Sequence, residues 1–145
     1  MTVPTVVVGC DASPASDAAL RFAAEEARLR RARLLVVAAY DRPIDPDLDD
    51  FDTPDAELQR SARACTESVV QRAFGRPGMR EVDLEVVAAE GEPSHVLLEH
   101  GRDAVMIVIG SHDRPMLRRL FGRVTSRGLL HDSTVPITIV PSPTD

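Results

Sequence analysis

The chain has 145 residues, with 23 acidic and 17 basic side chains and a formal net charge of -6. One core at this size can bury roughly 70% of the surface that the unfolded chain exposes, so a single domain over residues 1–145 is expected, with no room for a second. Aromatic residues make up 3% and Trp is absent, which removes stacking platforms for single-stranded nucleic acid or sugar rings. The net acidity argues against general binding to a phosphate backbone, and no nucleic-acid partner is expected.

All 17 basic residues are Arg. Without an ammonium there is no P-loop lysine, no Schiff base, no kinase-type phosphate lysine and no receiver-domain lysine. Cys10 and Cys65 show neither C-x-x-C nor zinc spacing and are read as reduced thiols of a cytosolic protein. The residues from Met1 to Gly9 lack a basic leader, and no run approaches transmembrane length, so a cytoplasmic location without a membrane partner is expected.

Thr5 to Gly9 is a short, β-branched apolar run that suits a strand buried on both faces of a parallel sheet. Ser13-Pro14 supplies an N-cap and an N1 proline, and the alanine-rich stretch to about Arg30 puts Asp17, Arg21, Glu25 and Arg28 on one face of a helix. Arg33 to Ala39 repeats the buried-strand pattern and stops at Tyr40-Asp-Arg-Pro43. Between Asp41 and Glu57 lie eight acidic residues against Arg42, which reads as a long solvated connection rather than a calcium loop. Thr53-Pro54-Asp55 restarts helix, with Leu58, Ala62, Cys65, Val69 and Ala73 at helical spacing, and Gly75 to Gly78 stops it.

Glu81 to Val86 alternates strictly, as an edge strand with one wet face would. Gly91-Glu-Pro93 opens a short helix to about His100, Ala104 to Ile109 is a fourth strand, and Gly110 to about Arg119 is a loop. Gly122 to about His131 reads as a last helix and Val135 to Val140 as a fifth strand. Strict alternation of strand and helix predicts an α/β fold, an open doubly wound parallel sheet with helices on both faces.

Strands one and four are the most apolar. If they are neighbours, a crevice opens at their carboxyl ends, lined by Cys10-Asp11-Ala12-Ser13 and Gly110-Ser111-His112-Asp113. Asp11 there can hold a ribose hydroxyl or a metal-bound phosphate, or it caps the first helix. Arg114, Arg118, Arg119, Arg123 and Arg127 cluster near Gly110 and Gly122 in a chain that is acidic elsewhere. Glycines admit backbone N–H groups to an anion and arginines supply forked donors, so the segment reads as a phosphate cradle or as a solvated basic face. The four histidines form no metal-site pair, and no nucleophile elbow is present, so no catalytic residue is assigned.

Val6-Val-Val-Gly-Cys-Asp-Ala-Ser13 resembles the strand-then-Asp-Gly-Ser opening of the universal stress protein family. Gly91-Glu-Pro93 through Asp103-Ala-Val-Met-Ile-Val-Ile-Gly110-Ser111 is similar to that family's third helix and fourth strand, and Val135 to Pro141 to its closing strand. The resemblance implies a five-stranded sheet in the order 3-2-1-4-5, of the adenine-nucleotide alpha hydrolase-like kind, dimers paired through the last strand, and adenine-nucleotide binding in one branch. With the crevice geometry it points to Asp11 and Ser13 after strand one, Ala39 or Tyr40 near a base, and Gly110, Gly122, Arg123 and Thr125 around the phosphates.

The ATP-binding branch carries G-x2-G-x9-G-[ST] after strand four. Here Gly110 fits the first glycine, but Asp113 occupies the second, eight residues rather than nine separate it from Gly122, and Arg123 stands where the hydroxyl belongs. Thr125 and Ser126 offer a hydroxyl one turn later. An aspartate at that position blocks close backbone approach and repels a phosphate, by on the order of 1 kcal/mol or more where water is thin.

Two functional expectations follow. One is a non-catalytic dimeric stress-response module with a degenerate nucleotide crevice, paired through Val135 to Val140 and open to protein partners. The other is an ATP-binding switch in which arginines of the 112–127 segment replace the missing contacts. The ligand is then ATP with Mg, or a phosphate- or sulfate-like anion. The dimer also has a physical argument: an apolar, uncharged edge strand tends to find a partner, and Pro136 removes one donor only.

Overall fold

The computed structural model describes residues 3–11, 14–40, 55–75, 82–110 and 132–141. Five parallel strands, β1 (Thr5–Gly9), β2 (Arg33–Tyr40), β3 (Leu84–Glu90), β4 (Met106–Gly110) and β5 (Ile137–Val140), form one sheet in the order β3-β2-β1-β4-β5. The described helices are α1 (Pro14–Arg30), α2 (Asp55–Phe74) and α3 (Pro93–Gly101). The expected last helix and residues 41–54 of the acidic stretch lie outside the described residues, whereas Asp55 and Glu57 of that stretch belong to α2.

Alternation along the strands splits the core in two. Val6, Val8, Leu34, Val36, Val86, Met106 and Val108 face α1 and α2, where Leu20, Ala23, Ala27, Val69, Ala73 and Phe74 cover them. Val7, Val37, Ile107 and Ile109 face the other way, against Val96 and Leu97 of α3. Complete burial of a Val, Leu or Ile side chain contributes about 1.5–3 kcal/mol, and β1 and β4 are buried on both faces, as their unbroken apolar runs required.

Several boundaries differ from the sequence expectation. β3 runs three to four residues later than Glu81 to Val86, because its register with β2 begins at Leu34 opposite Leu84 and continues to Tyr40 opposite Glu90. The small pair Ala88-Ala89 is therefore strand rather than connection. β4 begins at Met106, after a turn in which the Ala104 N–H donates to Gly101 O at 3.1 Å. β5 begins at Ile137 because Ser133 Oγ takes both backbone groups of Val135, donating to its carbonyl at 2.7 Å and accepting from its N–H at 3.3 Å.

Cys65 is exposed on α2, against its expected place on the buried stripe. The neighbouring Thr66 turns inward instead, and its hydroxyl donates to Ala62 O at 2.8 Å. No helix among the described residues is long and apolar enough to cross a membrane.

Candidate functional site

β1 and β4 are paired in parallel, Val6 to Val8 opposite Met106 to Val108. Continuing that register places Gly110 level with Cys10. The chain leaves β1 for β2 on one side, while β4 is followed in the sheet by β5 on the other, so the strand order reverses between them. A crevice at the carboxyl ends of such a pair is where open α/β sheets take ligands.

Hydrogen bonds from Cys10 and Asp11 tie down the end of β1. The Cys10 N–H donates to Val37 O at 2.9 Å, extending the β1–β2 ladder, and the Cys10 side chain is buried on the α1 face. Asp11 is exposed. Its N–H donates to Ser16 Oγ at 3.1 Å, and the same hydroxyl donates to Asp11 Oδ1 at 2.6 Å. Ser16, the third residue of α1, is only 4% exposed.

Ser16 was not singled out from the sequence, where Ser13 and Asp17 took the roles of cap and first-turn acid. The signal was a hydroxyl in the first turn placed to reach back to an acidic residue before the helix, an arrangement related to a capping box. Asp17 does not lie simply on the wet face with Arg21, Glu25 and Arg28. It is half-buried, and its buried Oδ1 has no hydrogen-bond partner among the described residues.

The β2 end contributes Ala39 and Tyr40, both half-buried. Ala39 packs against the apolar cluster on the α3 face. Tyr40 O accepts the Gly91 N–H at 3.0 Å, which ties the ends of β2 and β3 together. Gly91 has φ 140°, a conformation that strains any residue with a Cβ, and it turns the chain into Glu92, the N-cap of α3, and Pro93 at the first helical position.

Asp11, Ala39, Tyr40 and Gly110 thus stand at the carboxyl ends of three adjacent strands. Ser13, Gly122, Arg123 and Thr125 lie outside the described residues, as do Asp113 and the other arginines of that segment.

Two further concavities open at the opposite end of the sheet. One of about 600 Å³ lies between the end of α3 and the turn before β5, with Glu99, Arg102, Asp103 and Asp132 on its walls. Another of about 1020 Å³ has Leu35, Val87 and Val105 with Arg33, Glu85 and His100. In the first, the hydroxyls of Ser133 and Thr134 are engaged with Val135 O and Arg102 O. In the second, Arg33 is paired with Asp83 and Glu85. Among the described residues no group of three or more His, Cys, Asp or Glu side chains could hold a metal ion. The crevice at β1 and β4 is therefore the candidate site, since among the described strands the order reverses between these two.

Residues 2–141 match the model of the universal stress protein family. A universal stress protein of Mycobacterium tuberculosis is 33% identical over 142 residues, which cover 93% of this chain and 46% of that protein. One of Mycobacterium bovis is 27% identical over 135 residues, covering 92% of this chain and 44% of the relative. The chain spans under half the length of these relatives.

Among solved structures, a universal stress protein in complex with cAMP superposes with a TM-score of 0.67 at 24% identity, covering 97% of this chain and 98% of the other. The universal stress protein of Archaeoglobus fulgidus in complex with dAMP gives 0.59 at 24% identity, covering 96% and 98%. These similarities establish the same fold.

Proposed function

The chain belongs to the universal stress protein family, and from that premise we propose that it is a non-catalytic, dimeric binding module of the cytoplasmic stress response. Its crevice takes an adenine nucleotide carrying one phosphate in preference to ATP. The observation that supports this most is the placement of Asp11 and Gly110 at the carboxyl ends of adjacent strands where the strand order reverses.

Two proteins of this fold hold adenine nucleotides carrying one phosphate, cAMP in one and dAMP in the other. The sequence departs from the family's triphosphate motif just where the outer phosphates would lie: Asp113 in place of a glycine, a loop one residue short, and Arg123 in place of the hydroxyl. A carboxylate there works against two further phosphates and leaves the first with Gly110 and its neighbours. The competing reading, an ATP switch, draws on Arg114, Arg118, Arg119, Arg123 and Arg127, whose forked donors suit phosphates.

Calorimetric titration with AMP, cAMP and Mg-ATP decides between them. Tighter binding of AMP or cAMP than of Mg-ATP supports the monophosphate crevice. Micromolar Mg-ATP binding that exceeds AMP establishes the switch, and no heat with any of the three at millimolar concentration overturns nucleotide binding. Rapid stoichiometric turnover of nucleotide, abolished by Asp11→Ala, would overturn the non-catalytic assignment.

The dimer is proposed to form along β5. The Ile107 N–H donates to Pro136 O at 2.9 Å, so even-numbered residues of β5 turn their backbone groups toward β4 and odd-numbered ones turn them outward. The N–H that Pro136 lacks is therefore on the inner side, and its absence does nothing to blunt the outer edge. Val135 is satisfied by Ser133, which leaves Ile137 and Ile139 as the outward pair. No described residue bonds to their outward groups.

Two copies related by a two-fold axis at Thr138 would set Ile137 of one opposite Ile139 of the other, in antiparallel register, with all four residues satisfied. Light scattering at micromolar concentration should give the mass of two chains, and Ile139→Pro, which deletes an outward donor, should return it to one. A monomeric wild type sinks the assignment.

A further inference from the structure

We propose that Ser16 is a positioning residue of the crevice: it fixes the Asp11 carboxylate so that the side chain meets a ribose hydroxyl. The proposal rests on the adenine-nucleotide reading above and goes beyond it by naming a residue that touches no ligand. One hydroxyl holds Asp11 at both ends, accepting from its backbone N–H at 3.1 Å and donating to its Oδ1 at 2.6 Å. That closed arrangement restrains the side-chain torsion of Asp11, because the N–H fixes the hydroxyl relative to the backbone and the hydroxyl fixes the carboxylate.

The anchor is buried. Ser16 is 4% exposed, in the first turn of a helix whose inner face carries Ala19, Leu20 and Ala23 at 0% exposure. Asp11 by contrast is exposed at the carboxyl end of β1, in the loop that lines the crevice. A buried donor thus orients an exposed acceptor, which is how a supporting residue preorganises a binding contact.

The alternative role for Ser16 is to stabilise the start of α1 and nothing more. The two roles separate on sugar discrimination. A helix-start role affects every ligand equally, whereas a positioning role affects only ligands with a hydroxyl for Asp11 to accept.

The test is calorimetric titration of the full chain, wild type, Ser16→Ala and Ser16→Thr, with AMP and with 2′,3′-dideoxyadenosine 5′-monophosphate. Wild type should prefer AMP. Ser16→Ala should weaken AMP by about tenfold and leave the dideoxy nucleotide within about twofold, so that the preference collapses, since a hydrogen bond to a charged group at this strength is of that order. Ser16→Thr, which keeps the hydroxyl, should restore the preference.

Equal weakening of both nucleotides in Ser16→Ala, or an unchanged preference, overturns the positioning role while the nucleotide crevice stands. Equal affinity of wild type for both nucleotides also overturns it, because Asp11 then reads no sugar hydroxyl. Absence of binding to wild type removes the crevice and this role together. Should Ser16→Ala fail to fold, Ser16→Cys, a weak donor, is read in its place, and it should lie between alanine and wild type in sugar preference. A wild-type preference in Ser16→Cys counts against the proposal.

Discussion

The side-chain amide of Gln59 donates to the carbonyl of Ala88 at 3.0 Å, from α2 onto the outer edge of β3. The Leu34 N–H donates to Asp83 O and the Gly91 N–H donates to Tyr40 O, so odd-numbered residues of β3 turn to β2 and the even-numbered ones, Ala88 among them, turn outward. The two edges of the sheet are therefore unlike. That of β3 carries a side-chain bond and ends at the carboxylate of Glu90, whereas that of β5 presents Ile137 and Ile139.

Edges left open recruit strands, so in the dimer proposed along β5 a guarded β3 edge would keep assembly at two chains. Gln59→Val should add a concentration-dependent species heavier than two chains in light scattering, while wild type shows none. A variant that keeps the wild-type mass at high concentration would mean that the Gln59 bond does not protect that edge.

Gly101, at the end of α3, lies against Ile107 of β4. A Cβ at Gly101 would come within 2.5 Å of Ile107 Cδ1 and 2.6 Å of its Cγ1, and Ile107 is completely buried. Alanine favours helix over glycine by roughly 1 kcal/mol, but forcing a methyl into a filled core costs about 1–3 kcal/mol. Gly101→Ala should therefore lower the midpoint of denaturant unfolding with an unchanged slope. A rise in the midpoint would mean that α3 rides out from the sheet without cost.

Four of the five strand cores were readable because buried parallel strands write themselves as unbroken apolar runs, as in Thr5 to Gly9 and Ala104 to Ile109, whereas the strand order 3-2-1-4-5 came from the resemblance to the universal stress protein family and agrees with the sheet. Boundaries were not readable, because they depend on partners far away in sequence. β3 extends through Ala88 and Ala89 only because β2 is there to pair with them. Of the candidate crevice, the positions of Asp11 and Gly110 at strand ends were legible because each follows an apolar run. Ser16 was not, since nothing in a local pattern says that a first-turn serine turns its hydroxyl back to the strand end.

Cys65 illustrates the same limit from the other direction. Helical spacing from Leu58 to Ala73 put it on the buried stripe, but α2 is turned so that Thr66, Val69 and Val70 face the sheet and Cys65 faces solvent. Cys10 is 4% exposed. A chromogenic disulfide reagent should titrate one thiol rapidly in the native protein and the second only after denaturant is added, and Cys65→Ser should abolish the fast phase. Two fast thiols would place the β1 loop in exchange with an open state.

Glu25 and Arg28, three residues apart on the outer face of α1, form a two-point pair: Arg28 Nη2 to Oε1 at 2.6 Å and Nε to Oε2 at 3.1 Å. The hydrogen bonds from Arg28 hold the Glu25 carboxyl below its ordinary value; desolvation opposes them, and the charge of Arg28 adds to the lowering. A depressed carboxyl stabilises the folded state above the unfolded pKa, and that contribution is lost as pH falls through the folded pKa. Because both side chains are exposed, the pair adds little to stability and is screened by salt. A carboxyl-carbon NMR titration should find the Glu25 midpoint below that of an ordinary glutamate at low salt, moving up in high salt and in Arg28→Ala. A midpoint unmoved by Arg28→Ala would mean that the pair is not formed in solution and that the outer face of α1 carries no acid-sensitive bond at this position.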